Sequence, residues 1–266
     1  MRASRRAAKL PVGMTTRPTS ILPLVRPART AFAVWMAAPA FAAHPMLTED
    51  PATQGRGRFE LELGQAFAQG DPLIGGRGTE FAPQFSYGVV DTLDLIVRGT
   101  WVTQAPKQMP TTRGLGDSML DFKWRCHDAA PLALAVRAGV DLPIGADGIS
   151  AGRAGFHALA IAGWQAASVN VNANLAYARV NQPGARPDLF GVSIAMVGPN
   201  ASPWRTFIEA TAVSNPDARD TLWPAVARTG LIVTVAQWLD LDVGYQARLT
   251  KSATRQIWLA GATFRW

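Results

Sequence analysis

Counted back from its last residue in steps of two, the chain reads Trp266, Phe264, Ala262, Ala260 and Trp258. All five are apolar, and the run is aromatic at both ends. The other parity carries Arg265, Thr263 and Gly261, broken by Leu259 and Ile257. Side chains of a β-strand alternate between two faces, so a period of two means a strand. An apolar stripe bounded by aromatics suits a strand whose outer face meets lipid and whose ends sit at two water interfaces. The same alternation recurs upstream. Phe59, Leu61 and Leu63 alternate with Glu60 and Glu62, and Leu93, Leu95 and Val97 with Asp94 and Arg98. Leu120, Phe122 and Trp124 alternate with Asp121, Lys123 and Arg125, and Leu239, Leu241 and Val243 with Asp240 and Asp242. About twelve such stretches fit between Phe59 and Trp266, each near the length that crosses a bilayer at a tilt.

The connections between them are sorted by length. Short turns fall at Gly88–Thr92, His127–Pro131, Ala166–Ser168, Gly198–Pro203 and Ala236–Trp238. Longer loops fall at Gln69–Gly78, Gln104–Gly114, Leu142–Gly152, Asn181–Pro187, Ser214–Thr221 and Thr250–Arg255. Long and short alternate strictly, as in barrels with short turns at one membrane face and long loops at the other. A soluble sandwich has no reason to sort its loops this way. The expected fold is all-β, a transmembrane antiparallel up-and-down β-barrel of about twelve strands over residues 56–266.

Charge points the same way. Of 26 basic residues, seven (Arg2, Arg5, Arg6, Lys9, Arg17, Arg26 and Arg29) lie in residues 1–42, which hold no acid. That leaves 19 basic against 19 acidic residues, so the rest of the chain is formally neutral. A nucleic-acid partner is therefore not expected, because its basic patch belongs on the folded part. The basic stretch, the apolar run Ala31–Ala38 and the small residues around Phe41 read as a secretory signal peptide, residues 1–42, cleaved after Ala42 or close to it. Met14 is a second possible start. Residues 43–55 then form a periplasmic N-terminal segment, able to plug the barrel in part. Cys126 is the one cysteine, so no disulfide framework or cysteine metal cluster is expected.

No catalytic, cofactor or metal site emerges. Gly116-Asp117-Ser118-Met119 suggests a serine esterase, but that chemistry needs a histidine base oriented by an acid. The chain offers His44, His127 and His157, without the downstream pattern that would supply one. The charged strand parity reads instead as a lumen lining of Glu60, Glu62, Glu80, Asp94, Arg98, Asp121, Lys123, Arg125, Arg137, Glu209, Arg228, Asp240, Asp242 and Arg248. Pairing across neighbouring strands is expected to form a salt-bridge ladder in a polar lumen. Pro83 and Pro224 are points where strand pairing weakens.

Two resemblances follow from these residues. The strand ending on Trp266, with Trp258 and Phe264, resembles the C-terminal signal of bacterial outer-membrane barrels, which implies barrel-assembly machinery and outer-membrane lipid as partners. His44-Pro45-Met46-Leu47-Thr48-Glu49-Asp50, Ser86-Tyr87-Gly88 running into Asp91-Thr92-Leu93-Asp94-Leu95, Gly114-Leu115-Gly116-Asp117 with Phe122-Lys123-Trp124-Arg125, and Gly139 to Gly145 resemble a family of outer-membrane transporters named for the phenol meta-cleavage degradation pathway. That likeness covers roughly residues 44–155 and implies passage of small solutes, apolar or aromatic compounds among them. The expected function is a passive channel in a bacterial outer membrane, not an enzyme. The alternatives are a barrel-embedded lipid hydrolase or modifying enzyme, and a closed structural barrel.

Overall fold

The computed structural model describes residues 45–72, 75–181 and 185–266; the expected signal peptide lies outside them. Its strand segments are β1 (Phe59–Gln69), β2 (Arg77–Val90), β3 (Leu93–Arg98), β4 (Trp101–Ala105), β5 (Thr112–Leu115), β6 (Ser118–Ala129) and β7 (Leu132–Leu142). They continue as β8 (Gly155–Ala166), β9 (Val169–Arg179), β10 (Asp188–Gly198), β11 (Trp204–Val213), β12 (Ala225–Ala236), β13 (Leu239–Arg248) and β14 (Gln256–Arg265). All pairings are antiparallel, and β1 pairs with both β2 and β14, which closes the sheet. At the seam Phe59 and Trp266 exchange backbone hydrogen bonds of 2.9 and 3.1 Å. The result is a closed 12-strand barrel.

Two of the twelve walls are interrupted. Segments β3 and β4 both pair with β2, broken at Gly99-Thr100, while β5 and β6 run beside them, broken at Gly116-Asp117. The register passes from Arg98↔Met119 to Trp101↔Leu115. Two residues thus face three, which is a β-bulge. The expected loop Gln104–Gly114 is consequently shorter, because β5 extends the fourth wall above the bulge. Pro83 lies opposite this break, accepting a hydrogen bond from Gly99 N at 3.0 Å.

Connections 91–92, 130–131, 167–168, 199–203 and 237–238 gather at one end. The longer ones, 70–76, 106–111, 143–154, 180–187, 214–224 and 249–255, gather at the other. The alternation is the one the sequence implies.

The outer surface is apolar. Phe122, Trp124, Leu175, Ile194, Ile208, Val243 and Trp258 are all exposed, with Leu175 65% accessible. A water-soluble protein does not leave so continuous an apolar surface open. Aromatic side chains concentrate towards both rims. Phe59 stacks on Tyr87 and Trp266 near the short-turn end, with ring centroids 4.9 and 5.9 Å apart. Towards the long-loop end, Tyr177 packs between Phe156 and Phe190 at 5.7 and 5.4 Å. These are the girdles of a transmembrane barrel. Among the described residues no helix is long and apolar enough to cross a membrane.

The lipid-facing assignment gives a stability test. Val243→Arg, in the middle of β13 and 56% exposed, is expected to destabilise the barrel folded in liposomes by about 2–4 kcal/mol. Urea titration in vesicles measures this, and a cost near zero contradicts a lipid-facing position.

Candidate functional site

Inward-facing strand positions carry most of the expected lining. Glu62, Asp94, Arg98, Asp121, Lys123, Arg137, Glu209, Asp240 and Asp242 are buried, and Glu60, Glu80 and Arg228 are partly so. Arg125 sits at the short-turn rim, 3.0 Å from Asp128, and Arg248 is exposed at the end of β13. Trp258 and Trp266 face outward, 54% and 60% exposed, while Phe264 stacks on Trp238 at 6.2 Å.

The segment ahead of β1 is inside the barrel rather than below it. From Arg58 the chain turns upward. Thr53 Oγ1 donates to Asp91 O at 2.8 Å, and Gln54 bonds Asp94 and Glu60 at 3.1 and 2.8 Å. Pro51 crosses β8 at Gly163, where a Cβ would stand 2.7 Å from the proline ring; only a bare backbone lets the segment pass there. Asn174 holds the backbone of Glu49 on both sides, accepting from its N–H at 2.7 Å and donating to its carbonyl at 2.9 Å. The amides of Leu47 and Thr48, and the Thr48 hydroxyl, donate to the Glu209 carboxylate. Arg228 reaches Pro45 O at 3.2 Å. Bonds to β1, β3, β9, β11 and β12 thus tie one short segment to walls all round the lumen.

Its anchor is a carboxylate between two cations. The register places Lys123 of β6 directly opposite Arg137 of β7, and like charges so placed repel. Glu49 resolves this, receiving Lys123 Nζ at 3.0 Å and Arg137 Nη1 at 2.7 Å. Arg137 Nε also donates to Asp121 at 2.7 Å, and its Nη2 to Gln84 at 3.1 Å. Asp121 lies over Gly139, the one residue type that leaves room for its carboxylate. Its other oxygen meets His157 Nε2 at 2.9 Å, while His157 Nδ1 lies 3.3 Å from Asp141. Both ring nitrogens therefore face carboxylates, and neither is turned to a serine.

A simple ladder between neighbouring strands is thus not what forms. Cross-strand pairs exist, such as Glu60–Arg265 at 2.8 Å and Arg205–Asp240 at 2.8 Å. Yet Asp94, though opposite Lys123 in register, accepts from the Gln54 amide. Glu209, though opposite Arg228, stands 3.9 Å from it and spends its oxygens on the segment. A polar lumen is also corrected in part. Leu159, Ile161, Ala135, Ala178 and Leu189 form a buried inner cluster. Val197, Phe207 and Ile232 form another, against which Met46 of the segment packs. One-parity charge counting misses these, because their strands carry apolar residues on both faces.

Loop 143–154 closes in from the other end. Ile149 packs on Val102 inside the mouth, and Asp117 clasps the loop by accepting from Gly145 N and Ala151 N at 3.1 and 2.8 Å. Towards the short turns, a cavity of about 430 Å³ opens beside the segment, lined among others by Met46, Pro51, Glu62, Asp242 and Arg265. Among the described residues no cluster of three His, Cys, Asp or Glu could hold a metal ion.

The sequence pattern names Lys123 and Arg137 but not their partners Glu49 and Gln84, nor Asn174, which holds Glu49, nor His157, which holds Asp121. The available signal was electrostatic. Two cations fall opposite each other once the hairpin is registered, and their shared anion comes from ahead of the barrel.

No protein-family model matches the chain, and no curated protein matches it by sequence. Its fold does match solved barrels. An outer membrane channel from Pseudomonas putida F1 superposes with a TM-score of 0.62 at 11% identity, covering 82% of this chain and 98% of that one. The NanC porin gives 0.57 at 9% identity, over 77% and 98%. The KdgM porin gives 0.55 at 5%, over 77% and 98%. At these identities the likeness establishes the barrel fold.

Two predictions follow from the site's geometry. Burial alone raises the Glu49 carboxyl, but Lys123 and Arg137 outweigh it and hold it below the usual carboxylate range. A depressed folded value gives stability that is complete above the ordinary carboxylate range and is lost as pH falls through the depressed value. Glu49→Gln is therefore expected to cost about 3–5 kcal/mol at neutral pH, with the gap to the parent closing only well below pH 4.5. Paired melting curves across pH measure it, and a gap independent of pH refutes the ionic anchor. Separately, Asp117→Ala removes both clasps of loop 143–154 and should speed tryptic cleavage at Arg153, with melting behaviour nearly unchanged.

Proposed function

We propose that the protein is a bacterial outer-membrane channel for passive passage of small molecules. The observation that carries this reading is a closed barrel, apolar outside, that encloses a charged cavity open at one end. An enzyme is the weaker reading, since His157 is engaged on both nitrogens by acids and His127 is exposed on the outside. The proposed cargo is apolar or aromatic. Support comes from the inner apolar clusters around Leu159 and Phe207, and from the resemblance of residues 44–155 to the transporter family of the phenol meta-cleavage pathway. Export through the signal peptide 1–42 and recognition of the Trp258/Phe264/Trp266 end by barrel-assembly machinery complete the proposal.

A closed structural barrel is the second reading, favoured by the segment bridging the lumen. Liposome flux separates the two. The refolded chain is expected to admit a small aromatic alcohol faster than empty vesicles do and a similarly sized sugar poorly. Deleting residues 43–52 should raise both rates. Equal flux of both solutes in the intact chain means an unselective pore. Absence of flux in the intact and shortened chains alike removes the channel and leaves a closed barrel, structural or enzymatic.

A further inference from the structure

The segment that occupies the lumen has the form of a ligand. Glu49 places a carboxylate between Lys123 Nζ and Arg137 Nη1, at 3.0 and 2.7 Å. Two residues earlier, Leu47 lines a small cavity together with Leu159, Asn174 and Ala176 of the wall. Leu159 is the register partner of Arg137 on β8, and it belongs to the buried cluster with Ala135, Ile161, Ala178 and Leu189. A charged head and an apolar body are thus received side by side on adjoining strands. Asn174 meanwhile reads the amide between them.

We propose that Lys123, Arg137 and the Leu159 wall form a binding site for small carboxylates with an apolar body, such as aromatic acids, which the protein's own Leu47–Glu49 fills at rest. This rests on the channel reading and gives it a substrate class. The electrostatics favour a carboxylate over a neutral or cationic solute. When Glu49 leaves, Lys123 keeps only Asp50 at 3.8 Å among its ion pairs, and a buried cation so stripped is costly. Asp121 stays on Arg137 at 2.6 Å, and Glu60, Glu62 and Asp94 surround the site, so a second net anion is not welcome. Exchanging one carboxylate for another leaves that balance unchanged. A neutral solute leaves the Lys123 ammonium without the close anion that Glu49 supplies at 3.0 Å, and a cation in that place would stand directly against Lys123 and Arg137. Charge-assisted bonds to two donors also supply the affinity that the exchange needs.

Calorimetric titration of the full barrel in detergent tests this, with benzoate as probe and benzamide as its neutral isostere. Glu49→Gln weakens the internal occupant while keeping its shape. Benzoate is expected to bind this variant at least about tenfold more tightly than the parent, and benzamide to show no such gain. Adding Lys123→Gln to Glu49→Gln should abolish the gain. Should that double variant not fold, Leu159→Ala in the Glu49→Gln background serves instead, and loss of most of the gain is the supporting result. Equal benzoate affinity in parent and Glu49→Gln, or equal gains for benzoate and benzamide, overturns the proposal. Liposome flux is scored apart. Selective benzoate binding without flux supports the site and removes the channel reading, whereas flux without selective binding removes the site and leaves the channel.

Discussion

The arrangement of the lumen depends on two cations that strand pairing forces together. Lys123 and Arg137 face each other across β6 and β7, in an interior where neither can be left without an anion. Asp121, two residues before Lys123 on the same strand, turns to Arg137 and leaves Lys123 short of a partner. The missing charge comes from Glu49, far from both in sequence and outside the sheet. Once that carboxylate is required, the path of residues 45–55 follows. The backbone must climb past Gly163, be gripped at Asn174, and end its described course against Glu209 and Arg228. A change at Lys123 or Arg137 therefore acts on the position of the N-terminal segment as much as on the wall.

The barrel itself is held by different physics. Its exterior needs only the right side-chain class at alternate positions, because lipid contacts ask for apolar surface rather than particular partners. Parity along the strands, loops sorted by length and the aromatic last strand carry that information locally, and so the twelve walls were legible from the sequence. Closure was implied by the same count, since an even number of strands brings Phe59 beside Trp266. The bulge at Gly116-Asp117 was not legible. Its sequence alternates well enough on either side, and the extra residue shows itself only when β6 is set against β3 and β5 against β4.

The lumen was legible in composition and not in pairing. Parity assigns every buried acid, lysine and arginine of the wall inward, yet their partners depend on a segment with no periodicity to read. Residues 45–55 carry two prolines, Pro45 and Pro51, and two acids, Glu49 and Asp50, on irregular backbone rather than a repeating face, and nothing local reports that they sit in a barrel. The apolar inner clusters were hidden for the opposite reason. Ile257 and Leu259 interrupt the polar parity of the last strand, and they lie buried with Ala68 inside the barrel. In strands that are apolar on both faces, alternation cannot say which side is lipid and which is lumen.

These contrasts set the order in which the interior can open. Loop 143–154 is clasped by one side chain, Asp117, through two backbone donors, and seated by one apolar contact, Ile149 on Val102. The N-terminal segment is bound through Glu49, Glu209, Asn174, Asp94 and Arg228, with two buried ion pairs among those contacts. Opening at the loop costs two hydrogen bonds to one carboxylate, each worth about 1.5–3 kcal/mol, whereas withdrawing the segment strips two buried cations of their shared anion. Of the two closures, the one at the long-loop end is thus the weaker, and the stronger stands at Lys123 and Arg137. In the proposed channel the cost of passage would therefore be concentrated at that pair, where a solute able to replace the Glu49 carboxylate would lower the barrier most.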